Sequence, residues 1–392
     1  IPFYTRAQAA VDTVVRVIRE NASGVRVIKA LACQSRERER FSRANREARA
    51  AESAAGTVMA AANPMTDFLL NLGLVLVILV GALRVNQGRM ASGQIVAFLS
   101  YFALIQNATL GMAKIFVKIS KGAASARRIE EVLKAPMEQP VRPSVAESGC
   151  ELGMNGVSFS YLGVEKDVEE ASFTLQKGET LGILGPTGSG KTTLVSLLLR
   201  LYDADKGIVW VGGRDVTALP KEELRSRFGV VFQSDALLSE SVYENISFLR
   251  DIPRTGVEDA AKTAQAWEFI SRLPEGLDTK VDIRGANLSG GQRQRILIAR
   301  ALAARPPVLV LDSADSALDY RTAADLHAAI RRDCPGTTLV VISERIASLK
   351  DADRILVMEE GRITDQGTHA DLLARCERYR HMAELQMGGG AL

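Results

Sequence analysis

The sequence predicts a chain of two domains, an α-helical domain that crosses a membrane followed by an α/β domain. Phe68–Val85 is almost wholly apolar, and about 20 apolar residues are needed to span a bilayer. Beyond the proline-containing segment 136–148, short β-branched runs alternate with helical patterns, which is typical of an α/β domain. The 392 residues suffice for two cores, and the net charge of +3 does not indicate a nucleic-acid partner.

The sequence of the first domain predicts a polar helical segment that leads into two transmembrane spans. Residues 7–54 are rich in Arg, Glu and Ala, with an interruption at Gly24. Phe68–Val85 is the stronger candidate span, and Ile95–Met112 is weaker because polar residues interrupt it. A buried core helix is the alternative for either run. Basic residues crowd the ends away from the turn at Asn86–Gly88, so the positive-inside rule predicts that this turn lies outside and the polar helices lie in the cytoplasm.

Two spans cannot enclose a pathway alone, so we expect either further spans ahead of Ile1 or assembly of several chains. The absence of an initiator Met favours the first interpretation, in which the chain is a fragment. The four cysteines show no C-x-x-C spacing, which predicts free thiols in a reducing compartment. They are Cys33, Cys150, Cys334 and Cys376.

The strongest local signal in the second domain is a strand, a glycine loop and a helix within Thr180–Leu201. The loop fits G-x-x-x-x-G-K-[ST], in which backbone N–H groups and a helix N-terminus bind phosphate oxygens. Lysine in this pattern reaches the β and γ phosphates, and the following hydroxyl binds Mg²⁺. We expect the phosphate loop to comprise Gly185, Pro186, Thr187, Gly188, Ser189, Gly190, Lys191 and Thr192, with Thr193 next in the helix.

The second domain also contains a candidate magnesium-binding carboxylate and a second candidate anion site. Asp312 ends the apolar run Val308–Leu311, where a carboxylate that organises Mg²⁺ is expected beside a phosphate loop. Leu288–Gln292 places Ser289, Gly290, Gly291 and Gln292 at the start of a basic helix, which predicts an anion site without a lysine. One nucleotide cannot easily use both sites, so the pattern favours two chains that each lend a half-site to the other's nucleotide. A plain helix cap is the alternative for Ser289.

These motifs together resemble the ATP-binding-cassette (ABC) transporters, specifically an exporter half-transporter of type IV fold with its membrane domain fused ahead of a P-loop ATPase domain. Gly185–Thr192 resembles the Walker A loop, Val308–Asp312 the Walker B strand and Leu288–Gln292 the signature motif. The resemblance implies roles for three more residues. Tyr161 would stack on adenine, Gln233 would contact Mg²⁺ and face the membrane domain, and Asp319 would close the D-loop.

The resemblance also implies a domain layout. Residues 1–135 would be a partial transmembrane domain, with a coupling helix around Glu20–Ala30 and transmembrane helices near 65–85 and 93–113. Residues 136–150 would be a linker, and residues 151–388 the ATPase domain. The two helices resemble the fifth and sixth of the family, so the first three and most of the fourth would be missing.

Two positions depart from the family pattern. The family usually places Glu after the Walker B Asp, as the base that polarises the attacking water, and here Ser313 follows Asp312. Loss of a general base costs about 10²–10⁴-fold in rate. The family's switch histidine is replaced by Glu344, a carboxylate that would repel a γ-phosphate. Asp315, two residues beyond Ser313, is a doubtful substitute base.

The resemblance therefore implies a subunit of a plasma-membrane exporter, multi-pass and with its ATPase domain in the cytoplasm. It would bind ATP and Mg²⁺ at a hydrolysis-impaired site and complete the site of a second half-transporter, as the degenerate subunit of bacterial heterodimeric exporters does. A non-hydrolysing regulatory subunit and a slow homodimeric exporter are the alternatives. The sequence does not indicate whether the cargo is a small molecule, a lipid or a peptide.

Overall fold

A computed structural model describes residues 2–134, 141–142, 148–163 and 166–387. The chain divides into two compact units, Ile1–Met137 and Glu138–Leu392. Much of the predicted linker, residues 136–140 and 143–147, lies outside the described residues. All four cysteines are free thiols, as predicted.

The first unit is helical throughout its described residues. Gly24 separates the first two helices, as predicted, and a Cβ at this position would lie 3.0 Å from the carbonyl oxygen of Glu20. The third helix packs against the first, with Val17 and Ala44 among the buried side chains, and Arg40 forms an ion pair with Glu20 at 2.5 Å. The helices are α1 Pro2–Ser23, α2 Val25–Ala30, α3 Gln34–Asn86 and α4 Ser92–Leu133.

Helix α3 contains both the end of the polar helical segment and the first apolar run, Phe68–Val85. It continues through Pro64 from the polar residues into the apolar run, although proline has no backbone N–H and so removes one helical hydrogen bond at that residue. Among the described residues, Asp67–Asn86 is the one stretch long and apolar enough to cross a membrane, with a mean hydropathy of 2.4. The second predicted span corresponds to a shorter apolar stretch, Ser92–Ile105, within a helix that extends to Leu133.

The second unit contains two sheets. The larger has six strands in the order β10-β9-β3-β8-β7-β6, parallel except for β10. The smaller is antiparallel in the order β2-β1-β4-β5. The strands are β1 Leu152–Phe159, β2 Val168–Leu175, β3 Thr180–Leu184, β4 Lys206–Val211, β5 Arg214–Asp215, β6 Phe228–Val231, β7 Val308–Asp312, β8 Thr338–Ile342, β9 Arg354–Glu359 and β10 Arg362–Gly367.

Helices cover the larger sheet, and alternate strand residues face two cores. On β8, Leu339 and Val341 belong to one core, whereas Val340 and Ile342 belong to the other, which also packs against the smaller sheet. The helices are α5 Lys191–Leu198, α6 Lys221–Ser226, α7 Val242–Ser247, α8 Arg254–Thr263, α9 Trp267–Ile270, α10 Gly290–Ala303, α11 Tyr320–Asp333, α12 Ile346–Leu349, α13 His369–Arg375 and α14 Glu377–Met387, with short 3₁₀ turns at Val216–Ala218, Gly276–Asp278 and Ile283–Gly285.

Candidate functional site

The carboxyl ends of four neighbouring parallel strands form the edge where the predicted site residues lie. Strands β3, β8, β7 and β6 are adjacent in that order. The phosphate loop follows β3, Glu344 follows β8, Asp312 ends β7 and Gln233 follows β6. Ligands of open α/β sheets bind at this edge, and the strand order alone therefore brings residues that are far apart in sequence to one place.

The phosphate loop requires glycine at three positions. Gly188 and Gly190 have φ values of 83° and 94°, in the left-handed region. A Cβ at Gly185 would lie 2.4 Å from the backbone oxygen of Met358 and 2.6 Å from Ser189 Oγ. Ser189 Oγ is buried and has no hydrogen-bond partner among the described residues. A polar group left unpaired in a glycine loop fits an anionic ligand that accepts its hydrogen bond.

Lys191 is folded back into this loop. Its Nζ donates to the carbonyl oxygens of Gly185 at 2.8 Å and Pro186 at 2.7 Å, and the side chain is buried. Burial lowers the pKa of Lys191, whereas the charges of Glu344 and Asp312 oppose that change. An ammonium group held by two carbonyl dipoles can exchange them for phosphate oxygens.

Thr192 and Asp312 form the part of the site that fits a magnesium ion. The Thr192 hydroxyl donates to Asp312 at 2.7 Å, and Asp312 is 1% exposed. Desolvation raises the pKa of Asp312, although hydrogen bonds from Thr192 and Ser313 and the Lys191 charge oppose this. No ion pair neutralises Asp312 within the described ranges, and a buried carboxylate beside a hydroxyl suits a hard divalent cation.

Ser313 directly follows Asp312, at the position where the resemblance leads us to expect a base. Its backbone has a φ of 53°, in the left-handed region, and its Oγ donates to Asp312 at 3.3 Å. Asp315 forms hydrogen bonds away from Asp312: its buried carboxylate accepts from Ser343 Oγ at 3.0 Å and from Ser348 Oγ. A carboxylate that accepts hydrogen bonds from two hydroxyls is less available to act as a base.

Glu344 contacts the phosphate loop directly. The Thr187 hydroxyl donates to its carboxylate at 3.2 Å, and the charge is close enough to affect the pKa of Lys191. Its backbone carbonyl accepts a hydrogen bond from Gln386 at 2.8 Å. Sequence reasoning missed Gln386, which is exposed, although its spacing from the buried residues of α14 could have indicated that it lies on the same side of the helix as they do.

An aromatic cluster lies beside the start of α5. Tyr161 is 44% exposed and its hydroxyl lies 3.4 Å from Thr193 Oγ1. The rings of Phe159 and Tyr202 approach it edge-on, with centroids 4.9 and 5.0 Å from its own. An exposed ring fixed this close to the phosphate loop can stack on a nucleobase. Tyr202 is a second residue that sequence reasoning missed.

The signature segment forms a separate, exposed feature. Ser289 caps α10, with its Oγ accepting from the Gln292 N–H at 3.2 Å while Gln292 Oε1 accepts from the Ser289 N–H at 2.8 Å. A Cβ on Gly291 would lie 3.2 Å from the carbonyl of Ala317. In the part of the chain that the structure describes, no hydrogen bond joins Ser289 to the phosphate loop.

Two further predicted residues also lie on the surface. Asp319 caps α11, accepting from the Thr322 N–H at 2.9 Å and from its hydroxyl at 2.8 Å. Those hydrogen bonds, with the Thr322 N–H first, lower the pKa of Asp319. Gln233 is exposed just beyond β6. The structure therefore brings the phosphate loop, Asp312, Ser313 and Glu344 into contact, with Tyr161 beside the start of α5. Gln233 lies at the same edge of the sheet. The signature segment and Asp319 form hydrogen bonds of their own.

Comparison with known proteins identifies both units. Residues 168–316 match the ABC transporter model, and residues 2–109 match the ABC transporter transmembrane region. An uncharacterized ABC transporter ATP-binding protein of Mycobacterium tuberculosis is 38% identical over 98% of this chain and 68% of its own length. A fatty acid ABC transporter ATP-binding/permease protein of Mycobacterium bovis is 36% identical over 93% of this chain and 58% of its own length.

Two more similarities concern exporters. An ATP-dependent lipid A-core flippase of Burkholderia thailandensis is 33% identical over 97% of this chain and 64% of its own length. The solved structure of a bacterial Atm1-family ABC exporter with ATP bound has a TM-score of 0.88 and 29% identity, over 98% of this chain and 68% of that chain. The predicted family and fold are confirmed: the chain belongs to the ABC transporters, as an exporter in which a helical membrane domain of type IV fold is fused to an ABC ATPase domain.

Proposed function

We propose that this chain is one subunit of a heterodimeric exporter in the plasma membrane, with residues 151–388 forming a cytoplasmic ATPase domain. Its own site binds MgATP and hydrolyses it slowly. Its signature segment completes the site of a second half-transporter, where most hydrolysis takes place. The observation that carries this proposal is the pairing of an intact phosphate loop with Ser313 and Glu344 at the two positions that serve hydrolysis.

Binding at this site uses groups that the structure already holds in place. The loop N–H groups and Lys191 would bind the phosphates, and Tyr161 would stack on the base. Thr192 and Asp312 would hold Mg²⁺, with Gln233 as a further ligand. The bound ion would neutralise phosphate charge and so strengthen nucleotide binding.

Hydrolysis lacks a proton acceptor. The Ser313 hydroxyl is half-buried and already donates to Asp312, and a neutral hydroxyl does not take a proton from water at neutral pH. Asp315 is held by Ser343 and Ser348. Glu344 adds a negative charge where the family has a hydrogen-bond donor. Bound ATP would therefore persist and keep the two ATPase domains together.

The exposed signature segment supports the second half of the proposal. Ser289 and Gly290 are exposed at the start of α10, and a Cβ at Gly290 would meet nothing within 4 Å. The structure leaves room for a partner's phosphate against this helix start, which favours anions. Asp319, also exposed, would lie at the same interface.

The test is the ATPase rate of the co-purified pair in lipid. Ser289→Arg should reduce turnover by at least about 10²-fold, since one positioned donor group contributes this much. Ser313→Ala should change turnover less than twofold. A crippling effect of Ser313→Ala, or brisk turnover by this subunit without a partner, would overturn the proposal. Weak, symmetric activity of the subunit alone would instead indicate a slow homodimer.

The class of transported substrate can be tested by measuring which compounds stimulate the ATPase. Two relatives are named for fatty acid and for lipid A-core, and we propose amphiphilic lipids as the class to test first. Lipids of this class should stimulate the ATPase of the reconstituted pair more than peptides or drug-like cations do. Equal or greater stimulation by peptides would reject this choice.

A further inference from the structure

The C-terminal helix α14 is anchored in the core of the ATPase domain. Tyr379 and Ala383 are fully buried, and Met382 packs partly against the same cluster. Residues 379, 382, 383 and 386 are spaced as i, i+3, i+4 and i+7, so they share one face of the helix. Gln386 is therefore directed to the same side as the anchoring residues, although it is polar.

Gln386 makes two complementary hydrogen bonds to the loop after β8. Its Nε2 donates to the carbonyl oxygen of Glu344 at 2.8 Å, and its Oε1 accepts from the N–H of Ile346 at 2.9 Å. The two bonds span Arg345, as a paired strand would. A single carboxamide thus satisfies the backbone groups on both sides of one residue and fixes the backbone beside Glu344.

The opposite side of the same loop is also fixed. The Arg345 N–H donates to Ser343 Oγ at 3.0 Å, and Arg345 Nη1 donates to the carbonyl of Leu318 at 3.1 Å. The guanidinium lies 4.8 Å from the ring centre of Tyr320. With its neighbours held in this way, Glu344 extends its carboxylate to the Thr187 hydroxyl in the phosphate loop.

We propose that Gln386 is a positioning residue that keeps the Glu344 carboxylate against the phosphate loop, so that helix α14 sets how strongly this site discriminates between a nucleoside triphosphate and a diphosphate. This rests on the proposed role of Glu344. A triphosphate carries more negative charge near the carboxylate than a diphosphate, so a well-held Glu344 disfavours the triphosphate more. Release of α14 frees Glu344 and weakens this discrimination.

The experiment measures nucleotide preference chain by chain in the intact pair. Photolabelling of this subunit by an 8-azido adenine nucleotide is competed with ATP or with ADP, and the ratio of the two competing concentrations is the readout. Gln386→Met keeps the length of the side chain and removes both hydrogen bonds, and Gln386→Ala is the second variant. Glu384→Ala, at an exposed position of the same helix, is the matched control.

Both Gln386 variants should shift the ratio toward ATP by about fivefold, the lower end of typical coupling between sites. Glu344→Gln should shift it in the same direction, and the double variant should not exceed Glu344→Gln alone, because one effect acts through the other. Equal weakening of ATP and ADP binding would show a purely structural role of Gln386 and overturn the inference. Additive effects of the Gln386 and Glu344 variants on the ratio, or no shift of the ratio in the Gln386 variants, would also overturn it. If Glu344→Gln itself leaves the ratio unchanged, the proposed role of Glu344 fails instead.

Discussion

The Thr187 hydroxyl lies 3.2 Å from the Glu344 carboxylate, 157 positions away in sequence. A negative charge therefore lies against the loop that receives phosphate groups. The two residues meet because β3 and β8 are neighbours and both end at the same edge of the sheet.

Removal of the Glu344 charge should strengthen ATP binding. Glu344→Gln keeps the size of the side chain and should lower the dissociation constant for ATP about tenfold, corresponding to ~1.4 kcal/mol. Because Glu344 is exposed, the increase in ATP affinity should be smaller at high salt, which screens the charge. Titration of each protein with ATP at low and high ionic strength checks both points, and Glu222→Gln, at an exposed glutamate of α6, is the control. A weaker affinity in Glu344→Gln would show that the carboxylate helps binding.

A restored base should revive this chain's own site. Ser289→Arg silences the partner's site under the proposal, so the residual ATPase in that background reports on this one. Addition of Ser313→Glu should raise the residual rate by about 10²-fold. Ser313→Gln, of equal size and without the base, should leave the residual rate unchanged. Equal rates for the Glu and Gln variants would mean that the missing base does not limit hydrolysis.

The raised pKa of Asp312 predicts a pH-dependent effect on stability. The folded protein retains this proton at pH values where the unfolded chain has lost it. The stability that protonation of Asp312 contributes to the folded protein is therefore present at low pH. It is lost as the pH rises through the pKa of Asp312 in the folded state. Asp312→Asn avoids that loss, so without nucleotide it should melt higher than the native protein at neutral pH and equally at acid pH.

The same variant tests the magnesium site in a second measurement. Mg²⁺ should raise the melting temperature of the native protein in the presence of ATP, because a ligand that binds the folded state stabilises it. Asp312→Asn should lose most of this increment. A full Mg²⁺ increment in Asp312→Asn would place the metal elsewhere.

Close packing at Gly185 predicts a steric effect on nucleotide binding. Gly185→Ala would put a methyl group 2.4 Å from the Met358 carbonyl, so the loop must move. ATP affinity should fall by at least about tenfold, or ~1.4 kcal/mol. Gly149→Ala, where a Cβ would meet nothing within 4 Å and φ is not positive, should be neutral. Native affinity in Gly185→Ala would show that the loop tolerates the shift.

Local patterns predicted the elements of the site well. The glycine loop between β3 and α5, and Asp312 at the end of β7, follow from short-range sequence signals whose structural consequence is also local. The break at Gly24 is of the same kind. The polar helical segment was likewise expected to lead directly into the first apolar run, and α3 contains both.

Contacts between distant segments could not be predicted from these patterns. The Gln386 pairing with Glu344 joins residues 42 positions apart, and the burial of Asp315 beneath two serine hydroxyls depends on the register of β7 with β8. Such contacts depend on which strands become neighbours. A pattern confined to one segment does not contain that information.

The central claim is that ATP bound by this chain stays unhydrolysed while the partner's site turns over. The pair is incubated with 8-azido-ATP labelled at either the α or the γ phosphate during turnover, then crosslinked, and the two chains are separated. The account predicts that this chain carries the α and γ labels in equal amounts, whereas the partner carries mainly the α label. This chain labelled through the α phosphate alone would contradict it.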